Sequence, residues 1–393
     1  MKIQLGVLYG GNSTEHEISV ISAVQAMLSL DREKYDVVPL YITKDSRFFT
    51  GEALFTIENY KDIPALLKQC TEVILVKEND IAGIYKFPPK AFGKNRIGHI
   101  DIAFPIVHGT NTEDGVLAGY IEMLGLPYVG CDVASSALGM DKFAMKAIFR
   151  EYGIPVLESK LYTTKDHEDA DALLDRVEDA FTYPVIVKPV NLGSSIGISV
   201  AADRDALRKS LDTAFSFAEV VLVERAITNL REINCSVLGD RFNAEASECE
   251  EPMAADEILS FADKYIAGAK DGGAKGMASV KRKIPAPIPE EQRTEIREMA
   301  VKAFKALGCS GVARIDFMID GDENKLYLNE INTIPGSLSF YLWEPLGVKY
   351  ADLLDRMIEL GMKRHRARKN LTFSFESNVL SGIHLGGAKG GKL

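Results

Sequence analysis

The first burst of apolar positions, KIQLGVLYG, predicts a strand over residues 2–9. After Gly10-Gly11 the period changes. Ile18, Ile21, Val24 and Leu28 recur at helical spacing, so a helix follows, with Asn12 or Ser13 as its cap. YDVVPLYIT (35–43) predicts a second strand. HIDIAFPIVHG (99–109) predicts a third, which runs into the polar loop GTNTEDG. The helical GVLAGYIEMLG and the short LPYVG complete an open α/β domain over residues 1–130, with a mostly parallel sheet.

A second region, 131–226, opens with the helical DKFAMKAIFREYG (141–153) and carries the strands PVIVKPV and VVLVERA. A third, 227–365, gives REINCSVLG (231–239) and reads as antiparallel. Within it GVARIDFMID (311–320) and KLYLNEIN (325–332) alternate like strands, and the turn DGDEN between them predicts a hairpin. The segment 264–283, KYIAGAKDGGAKGMASVKRK, has neither periodicity and is expected to be a long mobile loop, of the kind that serves as a lid. From about residue 366 the chain is basic and ends in GGAKGGKL, where disorder is expected. There is no internal repeat.

The bulk numbers narrow the classes. The chain has 393 residues, 46% of them hydrophobic, enough for two or three domains with real cores. A net charge of −10 with mixed signs argues against a nucleic-acid binder. No apolar run approaches the roughly 20 residues that span a bilayer, so no membrane partner is expected. MKIQLGVLYGG is too short and too glycine-bounded for a signal peptide. Cys70, Cys131, Cys235, Cys249 and Cys309 lack CxxC spacing and read as reduced thiols of a cytoplasmic protein.

Two clusters carry candidate chemistry. Alternation puts Arg314 and Asp316 on one strand face, and Glu330 and Asn332 on one face of the next. If the faces coincide, three oxygen-bearing side chains meet beside an arginine, a set suited to a hard cation such as Mg²⁺; the plain alternative is two solvated faces. In FTYPVIVKPVNLGSSIGISV (181–200), a strand delivers Lys188 to a Gly/Ser loop able to cradle phosphate. An ordinary hairpin turn would look the same. No GK[ST] and no Rossmann fingerprint occurs. Glu15, Glu17 and His16 make the first strand-to-helix turn acidic. Carboxylates near helix N-termini are favoured by the dipole alone, and a bound amine is the other reading of Glu15.

Taken in order, GGNSTEHEIS, HGTNTEDG, LPYVG, MDK, VIVKPVNLGSSIG, LVERAI, DKY, GVARIDFMI and LNEINTIPG resemble the ATP-grasp superfamily, and within it the D-alanine–D-alanine ligases. The motifs span about residues 2 to 362. The resemblance implies a three-domain ATP-grasp architecture, an N-terminal α/β domain followed by two α+β subdomains. It implies ATP-dependent joining of two D-alanines through an acyl phosphate, serving peptidoglycan synthesis, by a homodimer.

It also implies roles. Lys142 and Lys188 would contact the α- and β-phosphates. Gly193, Ser194 and Ser195 would close over them, and Lys264 would approach the γ-phosphate. Glu224, with Arg225, Ala226 and Ile227, would hold adenine, and Glu232 the ribose. Asp316, Glu330 and Asn332 would bind two Mg²⁺, or Mn²⁺. Glu15 would hold the ammonium of the first D-alanine, helped by His108 and Glu113. Ser194 and Tyr265 would join Glu15 in locking the lid. Arg314 and the backbone near Gly336 would face the oxyanion.

One departure stands out. Where the family carries a serine that helps bind the second substrate's carboxylate, this chain has Tyr341 in NTIPGSLSFYLWEP, with Ser337, Ser339 and Leu342 nearby. The lid is also long. D-serine therefore stands as an alternative second substrate. A catalytically silent nucleotide-binding paralogue is argued against by the intact Lys188, Arg314, Asp316, Glu330 and Asn332, and a carboxylase by the lack of any biotinylation-like site.

Overall fold

Strand β1 (Ile3–Gly10) stops at two glycines because the chain turns there with positive φ, 91° at Gly10 and 93° at Gly11. A Cβ on Gly10 would overlap the Ile42 carbonyl oxygen, so no L side chain fits. Helix α1 (His16–Ser29) follows. Its cap position is Glu15, not Asn12 or Ser13. Ser13 instead accepts the Glu15 N–H at 3.0 Å and so shapes the turn ahead of the helix. Leu28, expected inward, is exposed; Met27 and Val24 fill the buried face. Ser19 accepts from Gly10 N at 2.8 Å and donates to the Ile106 carbonyl at 2.7 Å, which ties α1 to the sheet beneath it. The computed structural model describes residues 2–193, 195–253 and 282–373.

The N-terminal sheet comprises β1, β2 (Tyr35–Ile42), β3 (Phe48–Thr50), β4 (Thr71–Glu78), β5 (Ile81–Lys86), β6 (Arg96–Ile100) and β7 (Ile102–Pro105). Its order is β6-β5-β4-β3-β2-β1-β7. The parallel part is β2-β1-β7, and β3 to β6 add on antiparallel, so the sheet is mixed rather than mostly parallel. The apolar stretch 99–109 is accordingly not one strand. It breaks at Asp101, which exchanges hydrogen bonds with Gln4 of β1: Asp101 N to Gln4 O and Gln4 N to Asp101 Oδ2, both 2.8 Å. One residue thus joins opposite ends of the sheet order, and the sheet curls until Ile100 packs against Gly6.

The second sheet, β8 (Ser159–Thr163), β9 (Val185–Pro189), β10 (Ser199–Ala201) and β11 (Val220–Arg225), is antiparallel in the order β10-β9-β11-β8. Leu173, Leu174 and Val177 of one helix and Leu207, Leu211 and Ala214 of another cover it. The third, β12 (Leu230–Gly239), β13 (Ala244–Pro252), β14 (Arg282–Lys283), β15 (Gly311–Asp320) and β16 (Lys325–Asn332), is antiparallel in the order β14-β13-β12-β15-β16. The last helix, Tyr350–Lys369, returns Leu353, Leu354, Met357 and Ile358 to the core of the first domain. Residues 366–369, expected to begin the tail, are its last turn, where Arg366, Arg368 and Lys369 complement the helix C-terminus. No helix among the described residues is long and apolar enough to cross a membrane, and all five cysteines carry free thiols.

Candidate active site

The β15–β16 hairpin decides the central question of which faces coincide. Its register pairs Arg314 with Asn332 and Asp316 with Glu330, so all four side chains share one face. A bulge follows at once: Phe317 pairs with Leu328, leaving Asn329 as the extra residue. The bulge turns Asn329 into the same cavity as Asp316 and Glu330. Arg314 grips Asp316 with both arms, Nε to Oδ1 at 2.6 Å and an Nη2 to Oδ2 at 2.7 Å, and Asn332 donates to Oδ2 at 3.0 Å. Asp316 raises the buried guanidinium's pKa well above its ordinary value, against the opposing effect of burial.

Opposite stand the lysines. Lys142 begins the helix Lys142–Glu151, capped by Asp141, and its Nζ reaches the Leu192 carbonyl at 2.5 Å and Glu330 at 3.9 Å. One turn on, Lys146 is fully buried. Lys146 and Lys188 each bind one oxygen of Glu224, and Lys188 also donates to Asn329 Oδ1 at 3.3 Å. Burial acts to raise the Glu224 pKa, but the two lysines hold it down at about 2. Burial lowers the pKa of both Lys142 and Lys146. This corrects the expectation for Glu224. Its side chain has no exposed surface, so the carboxylate cannot face adenine; it is the counter-ion that positions Lys188. Arg225 likewise points away, to Asp320 at 2.8 Å, while Ala226 N bonds the Pro184 carbonyl and Ile227 is half-buried beyond the strand end. Glu232, Gly193 and Ser195 line the cavity.

The acidic turn forms the third wall. Glu15 is buried and its Oε2 presses on two glycines: a Cβ would lie 2.5 Å from it at Gly193 and 2.9 Å at Gly109. Those glycines let two loops close on one carboxylate. His16 turns the other way, bonding the Gly11 carbonyl at 2.7 Å and the Tyr41 hydroxyl at 2.9 Å. His108 is buried, which lowers its pKa to about 4, and its neutral ring meets Ser22 Oγ at 3.0 Å. Glu113 accepts from Gly109 N, Ile334 N and Thr333 Oγ1 at 3.1, 2.9 and 3.2 Å, joining the first domain to the end of β16.

Burial first, then the charge of Glu15, push the Glu113 carboxyl up to about 8. Folded protein therefore holds a proton that an unfolded glutamate releases near 4.5. The stability linked to it is complete below that value and is lost as the pH rises through about 8. Glu113→Gln is expected to flatten the fall in melting temperature between about pH 5 and 8. A variant profile as steep as the parent's would place the titration elsewhere.

After β16 the chain enters an unusual turn. Ser337, Leu338 and Ser339 have φ of 51°, 51° and 50°, a left-handed run that costs L residues roughly 1–2 kcal/mol each. Leu338 is held in the core, and Ser337 N donates to Ser22 Oγ at 3.0 Å. The turn brings Gly336 to the cavity but buries Ser337, Ser339 and Leu342 behind it, so these side chains do not face substrate as expected. Tyr341 is buried, its hydroxyl 3.4 Å from Glu250. Ser194, Lys264, Tyr265 and nearly all of the expected lid lie outside the described residues. The sequence reading missed Lys146, Asn329, Ser22, Glu250 and Arg282. Lys146 alone left a signal, standing four residues from Lys142 on one helix face.

Family models for the D-ala D-ala ligase N-terminus and C-terminus match residues 4–131 and 148–359. The chain belongs to the D-alanine–D-alanine ligase family. A D-alanine–D-alanine ligase of Thermosipho melanesiensis is 40% identical over 380 residues, 96% of this chain and 98% of its own. Solved D-alanine–D-alanine ligase from Coxiella burnetii superposes with a TM-score of 0.77 at 31% identity, covering 94% of this chain and 96% of that one. The VanG D-Ala:D-Ser ligase from Enterococcus faecalis superposes at 0.75 with 30% identity, covering 92% and 100%. Family membership accounts for the ATP-grasp architecture and makes this chain an ATP-dependent ligase.

Proposed function

We propose that the protein joins two D-alanines to D-alanyl-D-alanine at the expense of ATP, for peptidoglycan precursors, in the cytoplasm and as a homodimer. The observation that carries this reading is the convergence of Glu15, Lys142, Lys188, Arg314, Asp316 and Glu330 on one cavity. An acidic corner suits the ammonium of the first D-alanine and the lysine wall suits phosphates, and the charge of Glu15 reaches Lys142.

The donor set fits Mg²⁺. Asp316, Glu330 and Asn332 offer oxygen, two carboxylates and an amide, and no group of three or more His, Cys, Asp or Glu that could hold a metal gathers among the described residues. Two carboxylates and an amide leave room for nucleotide phosphates, the arrangement Mg²⁺ favours. When bound, the metal would screen phosphate charge in the transfer.

The residues then divide the work. Glu15 orients the first D-alanine by its ammonium, leaving its carboxylate toward the lysines. That carboxylate oxygen attacks the γ-phosphorus, the bond to the β-phosphate oxygen breaks, and ADP departs. Lys142 and Lys188 hold the phosphates in line. The amine of the second D-alanine attacks the acyl carbon, loses a proton, and expels phosphate. Arg314 and the backbone N–H at Gly336 face the oxygen that gains negative charge in this step.

Purified protein with ATP, Mg²⁺ and D-alanine should release ADP and phosphate and yield the dipeptide mass, undiminished by D-serine, D-lactate or L-alanine. A mixed dipeptide with D-serine as the main product would shift the reading to that acceptor. No D-alanine-dependent ADP would remove it.

A further inference from the structure

Behind the cavity, helix α1 meets the turn that follows β16, and one hydroxyl joins them. Ser22 stands two helical turns along α1 from Glu15, on the same face. Its Oγ accepts the Ser337 N–H at 3.0 Å and lies 3.0 Å from His108 Nε2. All three residues are buried. The carbonyl of Ile334 attracts the proton of the His108 ring. Nε2 is then the acceptor and Ser22 the donor, so the hydroxyl proton goes to His108 and a lone pair to Ser337. Other backbone groups of the turn are committed too. Ile334 N–H goes to Glu113 at 2.9 Å, and Leu338 N–H to the Pro335 carbonyl at 2.8 Å. Gly336 N–H has no partner among the described residues, and Gly336 lines the cavity.

Resting on the ligase reading, we infer that Ser22, oriented by His108, is a positioning residue for the reaction: it pins Ser337 so that the adjoining Gly336 N–H stays open to the oxygen that gains negative charge when the second amine attacks.

Three observations lead there. First, the turn does not hold itself. Ser337, Leu338 and Ser339 all have positive φ, and the hydroxyls of Ser337 and Ser339 are buried with no partner. A strained run of this kind persists only where its surroundings over-determine it. Ser22 supplies such a constraint from another domain element, 315 positions away in the chain. Second, the free donor lies between fixed ones. Glu113 holds the N–H of Ile334, and Ser22 holds that of Ser337. The direction of Gly336 N–H is thereby set without a bond of its own, as an oxyanion donor requires, because it must be aimed before the charge develops. Third, His108 has no ring nitrogen left for substrate. Nε2 faces Ser22, and the other nitrogen carries the proton drawn by the Ile334 carbonyl. The charge of Arg314 also acts on the ring, so the ring neighbours the arginine that shares the oxyanion with Gly336. A helix serine that served packing alone would be satisfied by the carbonyl one turn back. Ser22 bonds two other segments instead.

The test is a split of kinetic constants, measured on the full chain with ATP, Mg²⁺ and D-alanine. Ser22→Ala leaves the Ser337 N–H buried without a partner, so the turn must shift. The kcat for D-alanyl-D-alanine should fall about tenfold or more, because a displaced oxyanion donor is missed only in the transition state. KM for ATP should stay within about twofold of the parent value. Ser22→Thr keeps the hydroxyl and should restore most of kcat. Ser22→Cys, whose thiol is a weaker partner, should show the same split with a smaller fall, and serves if the alanine variant does not fold. A parent-like kcat in the folded alanine or cysteine variant overturns the assignment, whatever its melting temperature. So does a fall in kcat with KM for ATP rising in step, which is general damage, or a folded threonine variant as slow as the alanine one. In each of these cases dipeptide formation by the parent leaves the ligase reading standing. A parent that releases no D-alanine-dependent ADP removes the ligase reading, and the assignment of Ser22 with it.

Discussion

Asp316→Asn is expected to lower D-alanine-dependent ADP release by about 10³-fold or more, because charge stabilisation by a site carboxylate and its cation supplies several kcal/mol in such transfers. The substitution keeps size and hydrogen bonding on one oxygen but removes a full charge. Asp316 stands opposite Glu330 across the hairpin, and it also neutralises Arg314 through two bonds. Its loss weakens the proposed cation site and releases the arginine at once. Two readings separate these effects. The Mg²⁺ concentration for half-maximal activity should rise if the carboxylate holds the cation. Melting temperature should also fall, because Arg314 loses its bidentate counter-ion, and that fall should not depend on the Mg²⁺ concentration. Near-parental turnover at low Mg²⁺ would remove Asp316 from the metal set.

The largest effect on stability is expected at Glu224. Glu224→Gln should cost about 3–5 kcal/mol, the range for breaking a buried ion pair from one side. The site holds two ammonium groups, with side-chain exposures of 1% at Lys146 and 7% at Lys188, around a carboxylate with none. Removing the carboxylate leaves both lysines charged, close together and without their shared counter-ion. The double variant Glu224→Gln/Lys146→Met should recover much of the loss, which thermal melting of the three proteins would show.

The pH dependence has a definite sign. The lysines depress the Glu224 pKa to about 2, so its contribution is present above the ordinary glutamate value and is lost only as the pH falls through about 2. The gap in melting temperature should be constant near neutrality and close in strong acid. A gap absent at pH 7 would mean that Glu224 is not holding the lysines.

Much of the site was legible in short-range pattern. Period-two alternation in 311–320 and 325–332 put Arg314 with Asp316 and Glu330 with Asn332, because side chains of a strand must alternate. The Gly10-Gly11 turn, the lysine strand 185–189 and the family motifs set out the fold and the reaction class. What alternation could not give was the bulge after Asp316, which brings Asn329 to Lys188. Nor could it place the break at Asp101, since a single aspartate inside an alternating apolar run also fits a strand, and the break depends on a bond to Gln4, 97 positions away.

The sequence by itself determined which groups are available and along which local face each lies, since backbone geometry ties those to neighbouring residues. Only the tertiary structure decided which groups face one another. It turned Glu224 inward onto two lysines and buried Ser337, Ser339 and Leu342 behind a left-handed turn. It also bent the Tyr341 hydroxyl away to Glu250, beneath Arg282. Each of these is set by charge pairing or packing between segments far apart in the chain, and such contacts exist only once the three sheets have come together.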